Sequence, residues 1–443
     1  MKFNILKPAL AALVLVGTAC TANYLDINTN PYEPSEDDMQ TDGYIIGSAL
    51  TSLASTVVST DVNTAQFTDV LLGGPMGGYY STTGGFPRTI MNYNPTDDWT
   101  NVFMYSDRTI PVLYSNLREL KKVTDDPIVL AIADIIKVAA MHRVTDTYGP
   151  IPYSMIGENG QIQVPYDSQE KVYDKFFEEL DAAIKVLTEH RTDAISAKAD
   201  YIYGGSAEKW CKLANSLKLR LAMRIVYANE AKAREMAESA VNSEVGVITS
   251  NADNARLTSF GADGNPIYVA VNYNKPADCM TGGDTHAAAD IICYMNGYED
   301  PRREKYFSKA QFSGDNALEY VGMRRGIAIP ALSTVGLLYS GVNFVDGMAT
   351  PLQWMNAAEV AFLKAEAVGV FGWNMGGSAK TFYEQGVRLS FEQWGVAGVD
   401  EYLVGTTLPE SYTDPNGGAT SYSTQLSQLG VAWNDGASKE EMQ

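Results

Sequence analysis

The chain holds few side chains suited to covalent chemistry, and the clearest of them is Cys20. It follows Gly17, Thr18 and Ala19, and a thiol directly after small residues is what a lipoprotein peptidase requires for acylation. Gly17 and Ala19 also suit an ordinary signal peptidase, so two cleavage readings stand side by side. A Leu usually sits three residues before a lipidated cysteine, where this chain has Gly17. Acyl chains on Cys20 would anchor the protein at about 0.8 kcal/mol per buried methylene.

Catalytic constellations are thin. His142, His190 and His286 lack an HxxxH or HExxH context, and neither a GxSxG nor a P-loop occurs. His142 lies on a predicted helix and reads as structural. The glycines between 73 and 78 and at 84–85 lack the Lys-Ser/Thr of a phosphate cradle, so they read as a flexible surface loop. Asp97 and Asp98, before Trp99, meet a glycosidase's need for two carboxylates on composition. Capping and the helix dipole explain them better. Glu359 and Glu366 share a helix face and read as solvated or paired between helices. Of the remaining cysteines, Cys211, beside Trp210, reads as a buried free thiol, and Cys279 and Cys293 can pair across a short loop in an oxidising compartment. No cysteine pair has metal-ligand spacing and no D-x-D-x-D-G ladder appears, so neither metal nor cofactor is expected.

Aromatic residues point instead to binding. Sugar rings present apolar C–H faces on which flat side chains stack, while amides and carboxylates satisfy the hydroxyls. The chain has 26 Tyr and 6 Trp. Trp210, Trp394 and Tyr383 fall on helical stripes and read as core. Tyr79, Tyr80, Tyr268, Tyr273, Tyr294 and Tyr298 fall in Gly/Asn-rich stretches with no packing reason to be there. With Asn296, they form the candidate ligand-binding set. Asn272, Asn274 and Asp300 are further hydrogen-bonding neighbours, and contact with a protein partner would use such tyrosines equally well.

The elements that must position these residues are mostly helical. Residues 1–19 form a basic start and an apolar stretch of about nine residues, too short for the roughly 20 that span a bilayer, and read as a signal peptide. Residues 20–42 are a polar arm punctuated by Pro31 and Pro34. From Gly43, helical spacing appears at Ile46, Leu50, Leu53 and Val57, then from Trp99 through Leu117, and from Ile128 to Tyr148, where Gly149-Pro150 ends it. Ser168 and Ser206 begin two further helices, and alanine-rich helix runs from Glu230 to Asn242. Helical period returns at Ala357–Phe371 and Ser378–Trp394. The predicted class is mainly α, a tetratricopeptide-like scaffold of helix pairs over about 43–245 and 355–443. A loop-rich, ligand-binding insertion with short strands spans about 246–354, all within one domain from 43 to 443. The formal charge of −20 argues against a nucleic-acid partner.

Four runs carry a family resemblance. YLDINTNPYEPS in the arm, DTYGPIPYS at 146–154, KWCKLANSLKLRLAMRI at 209–225 and the stretch from MNAAEVAF to FEQWGV at 355–396 resemble the SusD/RagB-like proteins of Bacteroidetes. The resemblance implies a lipoprotein, lipidated at Cys20, displayed on the outer membrane at the cell surface. It would act as the lid of a TonB-dependent transporter of the SusC type, capturing oligosaccharide without cleaving it, and so would not be an enzyme. Peptide capture within the same family, a helical-repeat adapter with protein partners, and a surface glycosidase are the alternatives. Family members usually continue past a segment like GASKEEMQ, so a C-terminally truncated chain is an expectation here. Replacing Cys20→Ala is expected to leave the protein soluble or mislocalised on fractionation; unchanged membrane association would remove the lipid anchor from this reading.

Overall fold

A computed structural model describes residues 43–82, 93, 96–105, 108–157, 163–275, 283–310, 319–327 and 336–443. Two compact units divide the chain, 1–45 and 46–443. Of the first, only residues 43–45 are described. Cys20 and Cys279 lie outside the described residues.

In chain order the helices are α1 (Tyr44–Ala54), α2 (Val62–Ala65), α3 (Asp97–Asn101), α4 (Thr109–Val123), α5 (Pro127–Tyr148), α6 (Gln169–Glu189), α7 (Ala207–Arg224) and α8 (Glu230–Val241). Then come α9 (Pro266–Val271), α10 (Ala289–Gly297), α11 (Arg303–Tyr306), α12 (Ala357–Gly369), α13 (Ala379–Trp394), α14 (Val399–Leu403) and α15 (Lys439–Met442). A π-helical segment, Gln66–Gly73, follows α2. The strands are β1 (Tyr80–Thr82), β2 (Ala255–Leu257), β3 (Thr285–Ala287) and β4 (Leu352–Met355).

Local chemistry sets the long helices. Asp126 accepts hydrogen bonds from the amides of Ile128 and Val129, with Pro127 in the first turn of α5, where its missing N–H is no loss. Ser168, Ser206 and Ser378 cap α6, α7 and α13 through their side chains, and Asn356 does so for α12. Gly395, at φ 60°, closes α13 in the left-handed conformation that ends helices without a Cβ clash. α5 is buried on nearly every side and so forms the centre of the scaffold. α6 packs on α5 and on α7, α8 on α7, and α13 on α12. The two helices of the last pair approach closely because residue 386 is Gly: a Cβ there would meet the Phe362 ring at 2.8 Å.

The helix-pair scaffold is as predicted, with local differences. The stretch from Trp99 through Leu117 is two helices, α3 and α4, separated by a turn. Asp97 and Asp98 occupy the first turn of α3. The glycine-rich stretch from 73 is not a loose loop as far as it is described. It completes the π-helical segment, makes a helical turn over Gly74–Met76 and enters β1. As far as it is described, the loop-rich region holds three α-helices, α9, α10 and α11, besides its strands. β1 pairs antiparallel with β3, Ser81 opposite His286, and β2 pairs with β4 through an irregularity between Ala255 and Arg256. Cys293 is a buried free thiol on α10, pushed up to about 11 by burial, in place of the disulfide partner entertained for Cys279.

Trp210 anchors the main core at 1% exposure. Its indole N–H donates to Asp200 at 2.8 Å, and Asp200 also accepts from the amides of Ile202 and Gly205. Trp210→Ala therefore opens a cavity and removes one hydrogen bond from a buried carboxylate, and is expected to cost about 4 kcal/mol in urea unfolding. His286 has 0% exposure, and neither ring nitrogen has a hydrogen-bond partner. Burial lowers its pKa from 6.5 to about 4, only partly offset by the nearby carbonyls of Ser340, Tyr339 and Gly283, which lie outside hydrogen-bonding geometry. The unfolded chain takes up a proton near 6.5 while the folded chain resists it, so this contribution is complete above 6.5 and is lost as pH falls toward 4. Equilibrium unfolding should show a loss of about 3 kcal/mol from this residue over that window, and His286→Phe should flatten that part of the pH profile. An unchanged profile in the variant would show that the imidazole does not govern acid sensitivity.

Candidate ligand-binding cleft

A cleft of about 920 Å³ opens between the helical scaffold and the strand-bearing region. Its aromatic wall is built from two distant stretches of chain. Tyr79 and Tyr80 enter from the start of β1, and Tyr294 and Tyr298 from the C-terminal end of α10. The β1–β3 pairing brings them together, because β3 leads directly into α10. The Tyr79 carbonyl accepts the Ala288 amide at 2.9 Å, and the Gly78 carbonyl accepts the Ile291 amide at 3.3 Å. Arg325 clamps the junction, donating to Asp290 at 2.8 Å and to the Pro75 carbonyl.

Glycines seat these rings. A Cβ on Gly74 would lie 2.1 Å from the Tyr80 ring, and one on Gly77 would lie 2.7 Å from the Tyr79 ring. The glycine run is thus the complement of the two tyrosines that come after it. Burial and the charge of Asp69 push the Tyr80 hydroxyl up to about 12, so it stays a neutral donor. Tyr79 remains 54% exposed and offers its face to solvent. Tyr294 and Tyr298 stand edge to face at 5.7 Å, and the Tyr298 hydroxyl donates to the Leu429 carbonyl at 2.9 Å. They belong to a helix end, not to a loop.

A second wall comes from residues that sequence patterning assigned elsewhere. Trp394, at the last turn of α13, lines the cleft and meets Tyr306 edge-on at 4.7 Å. Its place on a helical stripe predicted core, yet it is only half-buried. Tyr383, placed with it, is half-buried and donates to the Val431 carbonyl at 2.6 Å. Arg302 lies between Phe391 and Tyr402, 4.7 and 5.2 Å from their ring centres. It grips Asp300 with Nε and Nη2 and reaches the Ser390 hydroxyl at 2.8 Å. The Tyr402 hydroxyl donates to the same Asp300 carboxylate at 2.9 Å. Burial would lower the Arg302 pKa, but the bond to Asp300 and its charge outweigh that and hold it above the ordinary range. Asp300 therefore spends its acceptors inside the wall.

The floor is the β2–β4 ribbon. Arg256 and Gln353 are register partners, and both line the cleft. The Gln353 amide nitrogen donates to the carbonyls of Ala255 and Met355, leaving its oxygen as an acceptor. Asn265, Asn343 and Gln393 add amides to the lining.

Three of the predicted set lie away from the cleft lining. Tyr268, on α9, packs edge-on against Phe344 at 5.3 Å. Tyr273 is 53% exposed, and its carbonyl sits where a Cβ on Gly283 would fall, 1.9 Å away. Asn296 is a structural tie, donating to the Tyr320 carbonyl and accepting from Arg303. Asn272 and Asn274 likewise bond within their own turn and to Asp284. His142 is buried in α5 and His190 pairs with Asp193 at the surface. Glu359 pairs with Arg220 across α12 and α7.

Comparison with known proteins places this geometry. Residues 26–443 match the SusD-like family, described as SusD and RagB outer membrane lipoproteins. A SusD homologue of Bacteroides uniformis is 57% identical, with a TM-score of 0.85 over 90% of this chain and 81% of its own. A homologue of Bacteroides ovatus is 37% identical, with a TM-score of 0.80 over 91% of this chain and 81% of its own. A chitin-binding SusD homologue of Flavobacterium johnsoniae is 32% identical, with a TM-score of 0.80 over 90% of this chain and 80% of its own. No protein with a curated function matches. With a family match from residue 26 to Gln443 and a helix-pair scaffold shared with these structures, the chain belongs to the SusD-like family.

Proposed function

We propose that the cleft captures an oligosaccharide without cleaving it, at the outer-membrane surface, and delivers it to a TonB-dependent transporter of the SusC type. The observation that carries this reading is the convergence of Tyr79, Tyr80, Tyr294, Tyr298 and Trp394 on one cleft. Aromatic faces with amides from Asn343, Gln353 and Gln393 match a ligand with apolar ring faces and hydroxyl edges. The family's description as outer membrane lipoproteins supports the location, and the chitin-binding relative supports a glycan. Residues 1–19 would serve as the export signal and Cys20 as the acyl acceptor. No described helix is long and apolar enough to cross a membrane. In this reading two of the described cleft carboxylates have structural work, Asp69 paired with Arg143 at 2.6 Å and Asp300 with Arg302; the third, Asp346, is exposed.

Affinity electrophoresis against an oligosaccharide panel tests the proposal. Tyr294→Ala and Tyr298→Ala are each expected to weaken retention roughly fivefold, about 1 kcal/mol of lost stacking, and the wild-type protein should leave the panel undigested. Retention intact in both variants would move the site elsewhere; released products would make the protein an enzyme.

A further inference from the structure

Behind the cleft lies a second cavity of about 210 Å³, and the two share Val58 and Asp69 as a common wall. Its polar lining is Asp69 from the π-helical segment, His142 and Arg143 from α5, and Arg220 and Arg224 from α7. Three guanidiniums thus face one carboxylate. Arg143 neutralises that carboxylate, donating to Asp69 at 2.6 Å. The counter-ions of the other two arginines stand outside the lining. Glu359 accepts from Nε and Nη2 of Arg220 at 2.6 and 2.7 Å, and Asp146 lies 3.0 Å from Nη1 of Arg224. Among the described residues no partner takes Nη1 of Arg220. Arg224 has a side chain 50% exposed, which gives the cavity a side open to solvent.

His142, buried at 4% exposure, is held well below the ordinary imidazole range, first by burial and then by Arg220, Arg224 and Arg143. Its Nδ1 lies 3.2 Å from the Val138 carbonyl, which makes Nδ1 the protonated nitrogen and leaves Nε2 as an acceptor. Three guanidiniums on one cavity lining, two of them with their counter-ions outside it, are a local exception in a chain of net charge −20. Guanidinium forks at fixed positions suit planar or tetrahedral oxyanions.

We propose that this cavity is an oxyanion site, holding a carboxylate, sulfate or phosphate group between Arg220 and Arg224. The volume accommodates such a group with water, or the acidic ring of a sugar. The anion arrives either free or as the acid group of a captured glycan.

The test titrates the full chain with sodium sulfate, and separately with a glucuronate-containing disaccharide and its neutral counterpart, at matched ionic strength in sodium chloride. Sulfate is expected to bind saturably by calorimetry and to raise Tm. Arg224→Gln should weaken it about tenfold, the loss of one charge-assisted hydrogen bond. Ala139→Leu, which fills the cavity while keeping every charge, should weaken it as well. Tyr294→Ala, in the cleft, should leave sulfate binding unchanged, so the cavity and the cleft can fail separately. Disaccharide binding weakened by both Arg224→Gln and Tyr294→Ala identifies a glycan-borne acid; a response to sulfate alone identifies a free ion. Absence of saturation in the wild type, or binding untouched in both cavity variants while circular dichroism shows them folded, overturns the proposal.

Discussion

Arg220 holds two remote parts of the molecule in one place. Its Nε and Nη2 engage both oxygens of Glu359, and Nη2 also donates to the Trp354 carbonyl at 2.9 Å. One guanidinium therefore ties α7 to the end of β4 and the start of α12. Side-chain exposures of 17% and 35% mean that both charges give up hydration, and a pair in that situation is favourable only with near-ideal geometry. The bidentate fork supplies it. This clamp sets the height of the β2–β4 floor, with Arg256 and Gln353, and the placement of the α12–α13 pair that presents Trp394. The cleft is the space left between a fixed helical base and elements the clamp holds in register.

Within that frame the aromatic residues divide by what their polar ends do. Tyr298 and Tyr402, on the two walls of the cleft, each spend a hydroxyl on the protein itself, through Leu429 and Asp300. They stiffen the walls while presenting ring edges or faces. Tyr79 is more exposed and carries no such tether to the second wall. The cleft thus combines tethered rings on both walls with one accessible platform at Tyr79.

The helical scaffold was largely legible because its signals are local. Asp126-Pro127, Ser168, Ser206 and Ser378 are caps that act on amides two or three residues away, and apolar spacing reports the buried face directly. The cleft was legible only where composition betrayed it. Tyr79, Tyr80, Tyr294 and Tyr298 stood out as tyrosines among glycines and asparagines, and the structure sets these four on one cavity. Tyr268, Tyr273 and Asn296 shared the same surroundings in sequence but face other partners, since composition does not carry direction. Trp394 failed in the opposite sense: its helical spacing is correct, but it sits where α13 ends and the core gives way to the opening. Periodicity identifies a face and is silent about where along the helix that face stops being covered. The pairs that matter most, Arg220 with Glu359 and β1 with β3, are long-range contacts that no window of sequence contains.

The β1–β3 ribbon also has a consequence for the order in which the molecule takes shape. Tyr80 pairs with Ala287, so the aromatic wall has no local nucleus and depends on closing a very long loop, one of the slowest kinds of contact to form. The α5–α6–α7 helices can pack from neighbouring sequence while that loop is still open. During folding, then, the chain passes through a stage with its helical base assembled and its aromatic wall absent. The aromatic wall of the cleft is thus a late product of folding, complete only once the chain from β1 through α10 has closed on itself.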